Sequence, residues 1–511
     1  TGGQNGFESI WGANPGLLKL ASLRAGIEFA PGSLLLRNGI PPLPVPPDPK
    51  FPFSPAVGDS ANDFDPNLRT PYVQSWTFSV QREINRDTVF EARYVGNQGV
   101  RLIRQYDLNE VNIFENGFLQ EFIAAQRNLA IAIAAGRAAN FRNQGLPGQV
   151  NLPIFTASFG SPTSSLFANA TLINFLQQGQ AGAMASTLGN SAANIVFQNN
   201  RIAAGLPANL FIVNPSVYGG GSFYFTNGAG STYNALQLEL RRRLSNGLLV
   251  QGSYTWSKSL TDFQASSSAE FNQPFTLRNN RLNKGPSPFD IRHAFKMNYI
   301  YELPIGPGQR FASAKGVLGK ILEGWQTDGI VRWQTGAPFR LTSGRATFNQ
   351  FDAGVELVGM SAKELQSLVK IRKDPLAANR GTVFWLPQDV IDNTLRAFGL
   401  LPGTPKGRYI APPTTPGKLG SYIYLYQPNF FRADLSIVKK TRITESANVE
   451  FRTEFLNAFN TVNFLINNPA NDIQTQGIGL TFGQTNQAYQ DTSTTNDPGG
   501  RLVQFVLRVN F

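Results

Sequence analysis

The feature that most constrains the fold of this chain is an alternation of apolar and polar side chains in segments of about ten residues. Between Leu236 and Arg241, for example, every second residue is a leucine and the residues between are polar or charged. A period of two is that of a β-strand with different surroundings on its two faces, and about ten residues span a bilayer as a tilted strand. Nine such segments occur, at residues 72–82, 90–94, 236–241, 248–257, 295–302, 325–334, 431–440, 447–455 and 503–511.

Composition favours a membrane protein over a soluble one. Charged residues make up 15% of the chain and aromatic residues 12%, whereas soluble chains carry about 25% charged residues. The densest apolar run, Leu129–Ala135, is far shorter than the roughly 18 residues of a membrane-spanning helix. We therefore predict an all-β fold, a transmembrane antiparallel β-barrel whose apolar side chains face lipid and whose polar side chains face a wet interior. A soluble multi-domain β protein is the weaker alternative.

Short and long connections alternate between the predicted strands, as they do in outer-membrane barrels. Asn246 and Gly247 supply the positive φ angles that a tight hairpin needs. The long connections are assigned to extracellular loops at residues 107–230, 260–290, 344–429 and 460–499. Short helices are predicted inside two of these loops, at residues 118–140 and, behind a capping box of Ser361 and Glu364, at residues 361–371.

The number of predicted strands indicates that the barrel wall is incomplete. Bacterial single-chain barrels close with an even number of strands, whereas this chain shows nine alternating segments. Residues 72–511 are therefore interpreted as the C-terminal part of a larger barrel, with about nine or ten of its strands. Residues 1–71 are assigned to an extracellular loop that holds or follows the remnant of a preceding barrel strand. The sequence begins at Thr1 without a signal peptide, so we expect export signals upstream.

Histidine and cysteine content excludes several kinds of chemistry. The chain has no cysteine and one histidine, His293, which excludes disulfides, thiolate metal sites and multi-histidine zinc sites. We interpret His293 as part of a rim segment that pairs locally with Asp290 and Arg292. The basic residues behind the net charge of +12 are scattered, which indicates anionic lipid rather than nucleic acid as the partner. No enzymatic activity, cofactor or metal site is predicted.

Alternation also predicts which side chains meet the two environments. The polar positions give ten charged candidates for the lumen: Arg93, Glu239, Arg241, Asp328, Arg332, Arg432, Asp434, Glu450, Arg452 and Glu454. The apolar positions give an aromatic girdle, because amphipathic rings favour the bilayer interfaces. Its members are Trp76, Tyr94, Tyr254, Trp256, Tyr299, Tyr301, Trp325 and Trp333.

Several short sequence motifs occur in a characteristic order along the chain. They are Arg69-Thr-Pro-Tyr-Val-Gln-Ser-Trp76, Tyr94-Val-Gly-Asn97, Tyr233-Asn-Ala-Leu-Gln237, Tyr254-Thr-Trp-Ser-Lys258, Phe289-Asp-Ile-Arg-His293 and Glu454-Phe-Leu-Asn-Ala-Phe-Asn460. In this order they resemble TonB-dependent outer-membrane transporters of the Oar-like group, over residues 65–511. The resemblance implies a barrel of about 22 strands, a plug and a TonB box in an N-terminal region outside this sequence, and contact with the TonB complex through that region. Phe511, preceded by Val509, Leu507 and Phe505, resembles the C-terminal signal that barrel assembly machinery recognises.

These observations predict the barrel portion of a transporter or receptor in the bacterial outer membrane. The transported solute would be bulky: an oligosaccharide, a peptide or a metal chelate. The alternative is a non-transporting outer-membrane surface protein that displays its long loops for adhesion. A plug upstream and uptake that depends on the proton gradient would distinguish the first hypothesis from the second.

Overall fold

The computed structural model describes residues 60–191, 194–217, 220–262, 275–373, 382–444, 447–466, 474–488 and 500–511. Within these residues, nine long strands follow one another as an antiparallel meander in one sheet, which we call the wall sheet. The strands are β1 Tyr72–Asn85, β2 Thr88–Asp107, β3 Ser222–Ser245, β4 Leu248–Thr261, β5 His293–Glu302, β6 Trp325–Gln334, β7 Phe430–Arg442, β8 Asn448–Leu456 and β9 Leu502–Asn510. Each of the nine alternating segments coincides with one of these strands.

β2 and β3 extend well beyond the predicted segments. They have 20 and 24 residues and stay paired up to Asp107, past an irregularity near Arg101, whose φ is 58°. β3 therefore begins at Ser222, inside the region predicted as the loop 107–230. This extension is stabilised by packing of its own, because buried Phe225 stacks on Phe64 with ring centroids 4.9 Å apart.

Two short strands join interior strands of the wall sheet, at the ends of those strands that adjoin the long loops. Ala61–Phe64 pairs in parallel with the start of β3, and Gly285–Pro286 pairs with β4. A wall strand of a barrel would pair antiparallel, so Ala61–Phe64 is not the predicted remnant of a preceding strand. Residues 1–59 lie outside the described residues, and a remnant there stays a prediction.

The loop between β2 and β3 folds around a hydrophobic core of its own, the first loop core. Its helices are α1 Phe118–Ala134, α2 Pro153–Phe159, α3 Ala170–Gln177, α4 Ala181–Gly189 and α5 Ile195–Ala203, with 3-10 turns at Ser165–Ala168 and Pro215–Val217. Fully buried Phe155 packs against Phe118 and Phe141, with ring centroids 5.5 and 5.3 Å away. The prediction of a helix at 118–140 was right in kind but too long, because Gly136 takes a left-handed φ of 69° just after α1.

A buried carboxylate connects two helices of the first loop core. The side chain of Glu121 in α1 accepts hydrogen bonds from the backbone N–H groups of Ile154 and Phe155 at 2.9 and 2.8 Å. These donors lie in the first turn of α2, where backbone N–H groups have no partner within the helix. Burial outweighs these hydrogen bonds and raises the pKa of Glu121.

The short connections and the C-terminal residues lie at one end of the wall sheet, which we call the turn end. Asn246 and Gly247 form the predicted tight hairpin with φ angles of 50° and 76°. The link between β5 and β6 contains a short helix, α6 Gly316–Leu322. β9 ends opposite the start of β8, where Asn510 faces Asn448. The long loops lie at the opposite end, the loop end.

The loop between β6 and β7 packs with part of the β8–β9 loop around a second loop core. Its helices are α7 Ala362–Leu368 and α8 Gln388–Ala397, and its sheets pair Pro338–Thr342 with Tyr424–Tyr426 and Gln474–Gly477, Glu356–Val358 with Tyr409–Ala411, Val383–Phe384 with Arg372–Lys373 and Gln484–Thr485, and Phe464–Leu465 with Gln487–Ala488. Fully buried Trp385 contacts Phe339 and Phe482, with ring centroids 5.6 and 5.3 Å away. The capping box of Ser361 and Glu364 is confirmed.

A further 3-10 turn, Asn280–Asn283, lies in the loop between β4 and β5. None of the helices in the described residues has the length and hydropathy needed to cross a membrane.

Candidate functional site: the charged face of the wall sheet

The register of the wall sheet places all ten predicted charged residues on one face. Residues opposite each other on neighbouring strands share a face, and the faces alternate along each strand. Glu239 faces Ser253, which faces Lys296; Lys296 faces Arg332, which faces Arg432. Alternation along each strand places the remaining candidates on this same side of the sheet, which we call the charged face. That it lines a lumen stays a prediction.

One group of ion pairs lies across β2 and β3. The Glu91 carboxylate is 2.5 Å from the Arg93 guanidinium and 3.4 Å from that of Arg241, which is also 3.3 Å from Glu239. Glu91 was not among the ten candidates, although it alternates with Phe90 and Ala92 in the sequence. It is the most enclosed member of this group, with only 8% of its side chain exposed.

A second group lies across β6, β7 and β8. Arg452 is 3.7 Å from Asp328, 3.6 Å from Glu454 and 3.3 Å from Glu450. Asp328 also accepts a hydrogen bond of 2.6 Å from the hydroxyl of Ser436. One guanidinium therefore pairs with carboxylates from two strands.

A third group contains two arginines that face each other across β6 and β7. Arg332 and Arg432 are cross-strand partners, and like charges in that position repel. Asp434 relieves the repulsion because its carboxylate lies 2.9 Å from Arg432 and 3.9 Å from Arg332. It also accepts a 2.7 Å hydrogen bond from the backbone N–H of Asn457.

All eight predicted girdle residues lie on the opposite face, which we call the aromatic face. Leu236 faces Trp256, and Phe295 faces Trp333, so these rings share a side with the leucines. Leu248 and Trp256 lie at opposite ends of the pairing between β4 and β5, eight residues apart, which is about 27 Å along a strand. An apolar band of a membrane barrel is about 25 Å tall. The assignment of these rings to bilayer interfaces stays a prediction.

His293 also lies on the aromatic face, where its Nδ1 is 2.7 Å from the hydroxyl oxygen of Tyr254. The prediction that it pairs with Asp290 and Arg292 was therefore wrong. His293 begins β5 with its side chain on the aromatic face, whereas Asp290 and Arg292 precede the strand and contact the hydroxyl of Tyr426.

Asp290 and Arg292 form an ion pair at the loop end, 3.1 Å apart. The buried Asp290 carboxylate also accepts hydrogen bonds from the Tyr426 hydroxyl at 2.6 Å and from the backbone N–H of Ser259 at 2.7 Å. Burial, together with the hydrogen bond to Asp290, raises the pKa of Tyr426 to about 12. Tyr426 belongs to the second loop core, so this cluster attaches that core to the wall.

Glu110 joins three loops above the wall sheet. Its carboxylate accepts hydrogen bonds from the Thr276 hydroxyl at 2.7 Å and the Asn349 amide at 2.9 Å, as well as from the backbone N–H of Leu277. In the described part of the chain, no group of three or more His, Cys, Asp or Glu side chains could hold a metal ion.

The predicted assembly signal lies on the aromatic face of the outermost strand. Phe505 and Leu507 are 67% and 69% exposed, and Phe511 is 97% exposed. Val509 faces Val449 of β8. Recognition by assembly machinery stays a prediction.

An antiparallel meander with one charged and one aromatic face, short turns at one end and long loops at the other has the architecture of an outer-membrane barrel wall. The chain belongs to the outer membrane beta barrel domain family, whose model matches residues 2–504. It is a protein of the bacterial outer membrane.

Solved structures similar to this chain include two outer-membrane proteins. The outer membrane transporter YddB from Escherichia coli is 7% identical, with a TM-score of 0.30 over 80% of this chain and 31% of its own. The pyoverdine outer membrane receptor FpvA from Pseudomonas aeruginosa PAO1, bound to pyoverdine, is 8% identical, with a TM-score of 0.26 over 77% of this chain and 26% of its own. The chain thus spans less than a third of either protein. No curated protein matches it.

Proposed function

We propose that this chain forms part of the wall and the loops of a TonB-dependent transporter that moves a bulky solute across the outer membrane. The observation that carries the proposal is the charged face, with five arginines and five carboxylates from the predicted set. Charged side chains within the hydrocarbon are expensive and face a water-filled cavity or one another. The charged face would therefore line a wet lumen, and the aromatic face would meet lipid.

The balance of charge on this face bears on how a solute would be selected. Arg93, Arg432 and Arg452 each lie within 4 Å of a carboxylate, so the wall presents no field of a single sign. Selection of a solute would then lie with the loops and the plug. The wall would keep the passage hydrated and hold the plug by exchange of ion-pair partners.

The margins of the wall sheet support a larger barrel. Among the described residues, β1 pairs only with β2, and β9 only with β8. Unpaired backbone groups at a strand margin cost several kcal/mol each in hydrocarbon. We propose that further strands, outside the described residues, pair with both margins and close the barrel.

The loops support a capture step at the outer surface. The cluster at Asp290 connects the second loop core to the wall sheet, and the junction at Glu110 connects three loops to one another. Loops joined in this way would present a shaped surface over the mouth of the barrel. In the proposed function, a solute binds there and then passes the plug. Catalysis has no part in this function.

The test is energy-dependent uptake by cells that produce the complete protein. Labelled oligosaccharides, peptides and ferric chelates are offered in turn, and uptake is measured before and after the proton gradient is collapsed. We expect uptake of one class to fall to background, whereas a small solute that diffuses through porins enters unchanged. Uptake that survives both loss of the gradient and deletion of the TonB system would reject energised transport.

A surface protein that displays loops for adhesion is the second candidate, and the first loop core favours it. Phe118, Phe155 and Phe141 are fully buried within that loop, so it carries its own core above the wall. Replacement of residues 112–216 by a short linker distinguishes the two. Loss of adhesion in cells that never show energised uptake would support display over transport.

A further inference from the structure

Helix α6, in the link between β5 and β6, exposes an apolar face at the turn end. Val317, Leu318 and Ile321 are 78%, 58% and 55% exposed. Their spacing of one and four residues places them on one side of the helix. Three neighbouring aliphatic side chains on a surface helix are the pattern of a helix that meets something apolar.

The packing of α6 keeps this face outward. Gly319, on the other side of the helix, is buried. A Cβ at this position would lie 2.5 Å from the backbone oxygen of Ala314 and 2.9 Å from Cγ of Pro307. The close approach at Gly319 therefore turns the aliphatic side chains away from the protein. A surface helix in water has the opposite orientation, with its apolar side against the protein core.

Two contacts connect α6 to the aromatic face of the wall sheet. The indole N–H of Trp325 donates a 2.8 Å hydrogen bond to the backbone oxygen of Ile321. The Lys439 ammonium donates to the backbone oxygens of Lys320, at 2.8 Å, and Glu323, and it lies 5.6 Å from the centre of the Trp325 ring. Trp325 and Lys439 are cross-strand partners on that face. The helix thus continues the aromatic face, which would meet lipid in the proposed function.

The charge around α6 is basic. Residues 303–324 contain Arg310, Lys315 and Lys320 against Glu323, which gives 3 − 1 = +2. Lys439 adds a further positive charge beside the helix. An aliphatic face flanked by lysine and arginine is typical of helices that lie in the headgroup region of a membrane.

We propose that α6 is an interfacial anchor that binds anionic phospholipid in the leaflet at the turn end. Val317, Leu318 and Ile321 would enter the boundary between headgroups and acyl chains, and the basic side chains would contact lipid phosphates. The proposal rests on the outer-membrane location and on lipid at the aromatic face. It does not depend on transport or on the solute.

A spin label at Leu318→Cys tests the position of the helix. These 511 residues contain no cysteine. The complete protein, with any cysteine outside them replaced by serine, is purified from outer membranes and reconstituted in vesicles of phosphatidylglycerol and phosphatidylcholine. Accessibility to oxygen, relative to a water-soluble nickel chelate, should be several-fold higher than at Ala138→Cys, an exposed position at the loop end. Val317→Cys serves as a second site should the first variant fail to assemble.

The lipid preference is tested with a fluorophore at the same site and brominated lipids as quenchers. We expect brominated phosphatidylglycerol to quench more strongly than brominated phosphatidylcholine. In the double variant Lys315→Gln/Lys320→Gln, this preference should fall by about fivefold for each lysine removed. The matched control, Lys363→Gln/Lys370→Gln, removes two exposed lysines at the loop end and should leave the preference unchanged.

Two results would overturn the proposal. A label at Leu318→Cys as open to the nickel chelate as the label at Ala138→Cys would show that the helix lies in water. A label closed to both relaxing agents would show that a protein surface, such as a second copy of the chain, covers the helix instead of lipid.

Discussion

Asp434 holds together the part of the charged face where repulsion would otherwise be strongest. Arg332 and Arg432 face each other across two strands, and the Asp434 carboxylate lies close to both. The three side chains are only partly exposed, at 30%, 10% and 20%, so water screens them incompletely. One carboxylate therefore stabilises the pairing of β6 with β7.

We expect Asp434→Asn to destabilise the wall by about 1–3 kcal/mol, because it leaves two facing guanidinium groups with a neutral neighbour. The measurement is the midpoint of unfolding of the complete protein in detergent micelles. The control is Glu115→Gln, which removes the partner of Arg278 from a pair that is well exposed on the loops. An equal effect of the two substitutions would contradict a special role for Asp434.

At the scale of elements, the hairpins of the wall depend on a few backbone positions that side chains tolerate poorly. Gly247 has a φ of 76°, and a Cβ there would lie 3.0 Å from the backbone oxygen of Glu302. Gly308, in the link before β6, has a similar φ of 73° but nothing within 4 Å of the added atom. Substitution at Gly308 therefore measures backbone strain alone, and substitution at Gly247 measures strain together with crowding by a neighbouring strand.

Gly247→Val should therefore destabilise the protein more than Gly308→Val. Both substitutions bring strain of about 1–3 kcal/mol from a β-branched residue at positive φ, and only the first also presses on β5. Unfolding midpoints in micelles and the fraction of protein that assembles in the outer membrane provide the comparison. A larger loss of stability for Gly308→Val would contradict crowding of Gly247 by the backbone of Glu302.

At the scale of the whole molecule, the wall strands could be predicted from the sequence, whereas in the loops only two helices could be predicted and their packing could not. Alternation identified the strands because different surroundings on the two faces of a sheet impose a period of two on each strand separately, independently of distant contacts. The loop cores lack such a local signal. α2 has seven residues, and the carboxylate at its N-terminus comes from Glu121; Trp385 packs against Phe339 and Phe482.

The candidate site follows the same division. The face of the wall sheet on which a side chain lies could be predicted from alternation along each strand. All ten charged candidates lie on one face and all eight aromatic candidates on the other. Partners could not be predicted, because register decides which charges meet. That Arg452 reaches Asp328, and that His293 contacts Tyr254, became evident only from the strand pairing.

Two neighbouring residues in the middle of β3 allow a direct test of the two faces. Leu238 faces Tyr254 on one side of the sheet, and Glu239 faces Ser253 on the other. If the aromatic face meets acyl chains, a fluorophore at Leu238→Cys is quenched by brominated lipid and its thiol resists a water-soluble maleimide. The thiol of Glu239→Cys should behave in the opposite way, since a wet lumen admits the reagent.

The two positions are adjacent in the sequence, so their depth in the membrane and their distance from the turn are nearly the same. Only the face of the sheet differs between them. Equal quenching at both sites would mean that lipid reaches both faces or neither, and a wall between lipid and water would then be excluded.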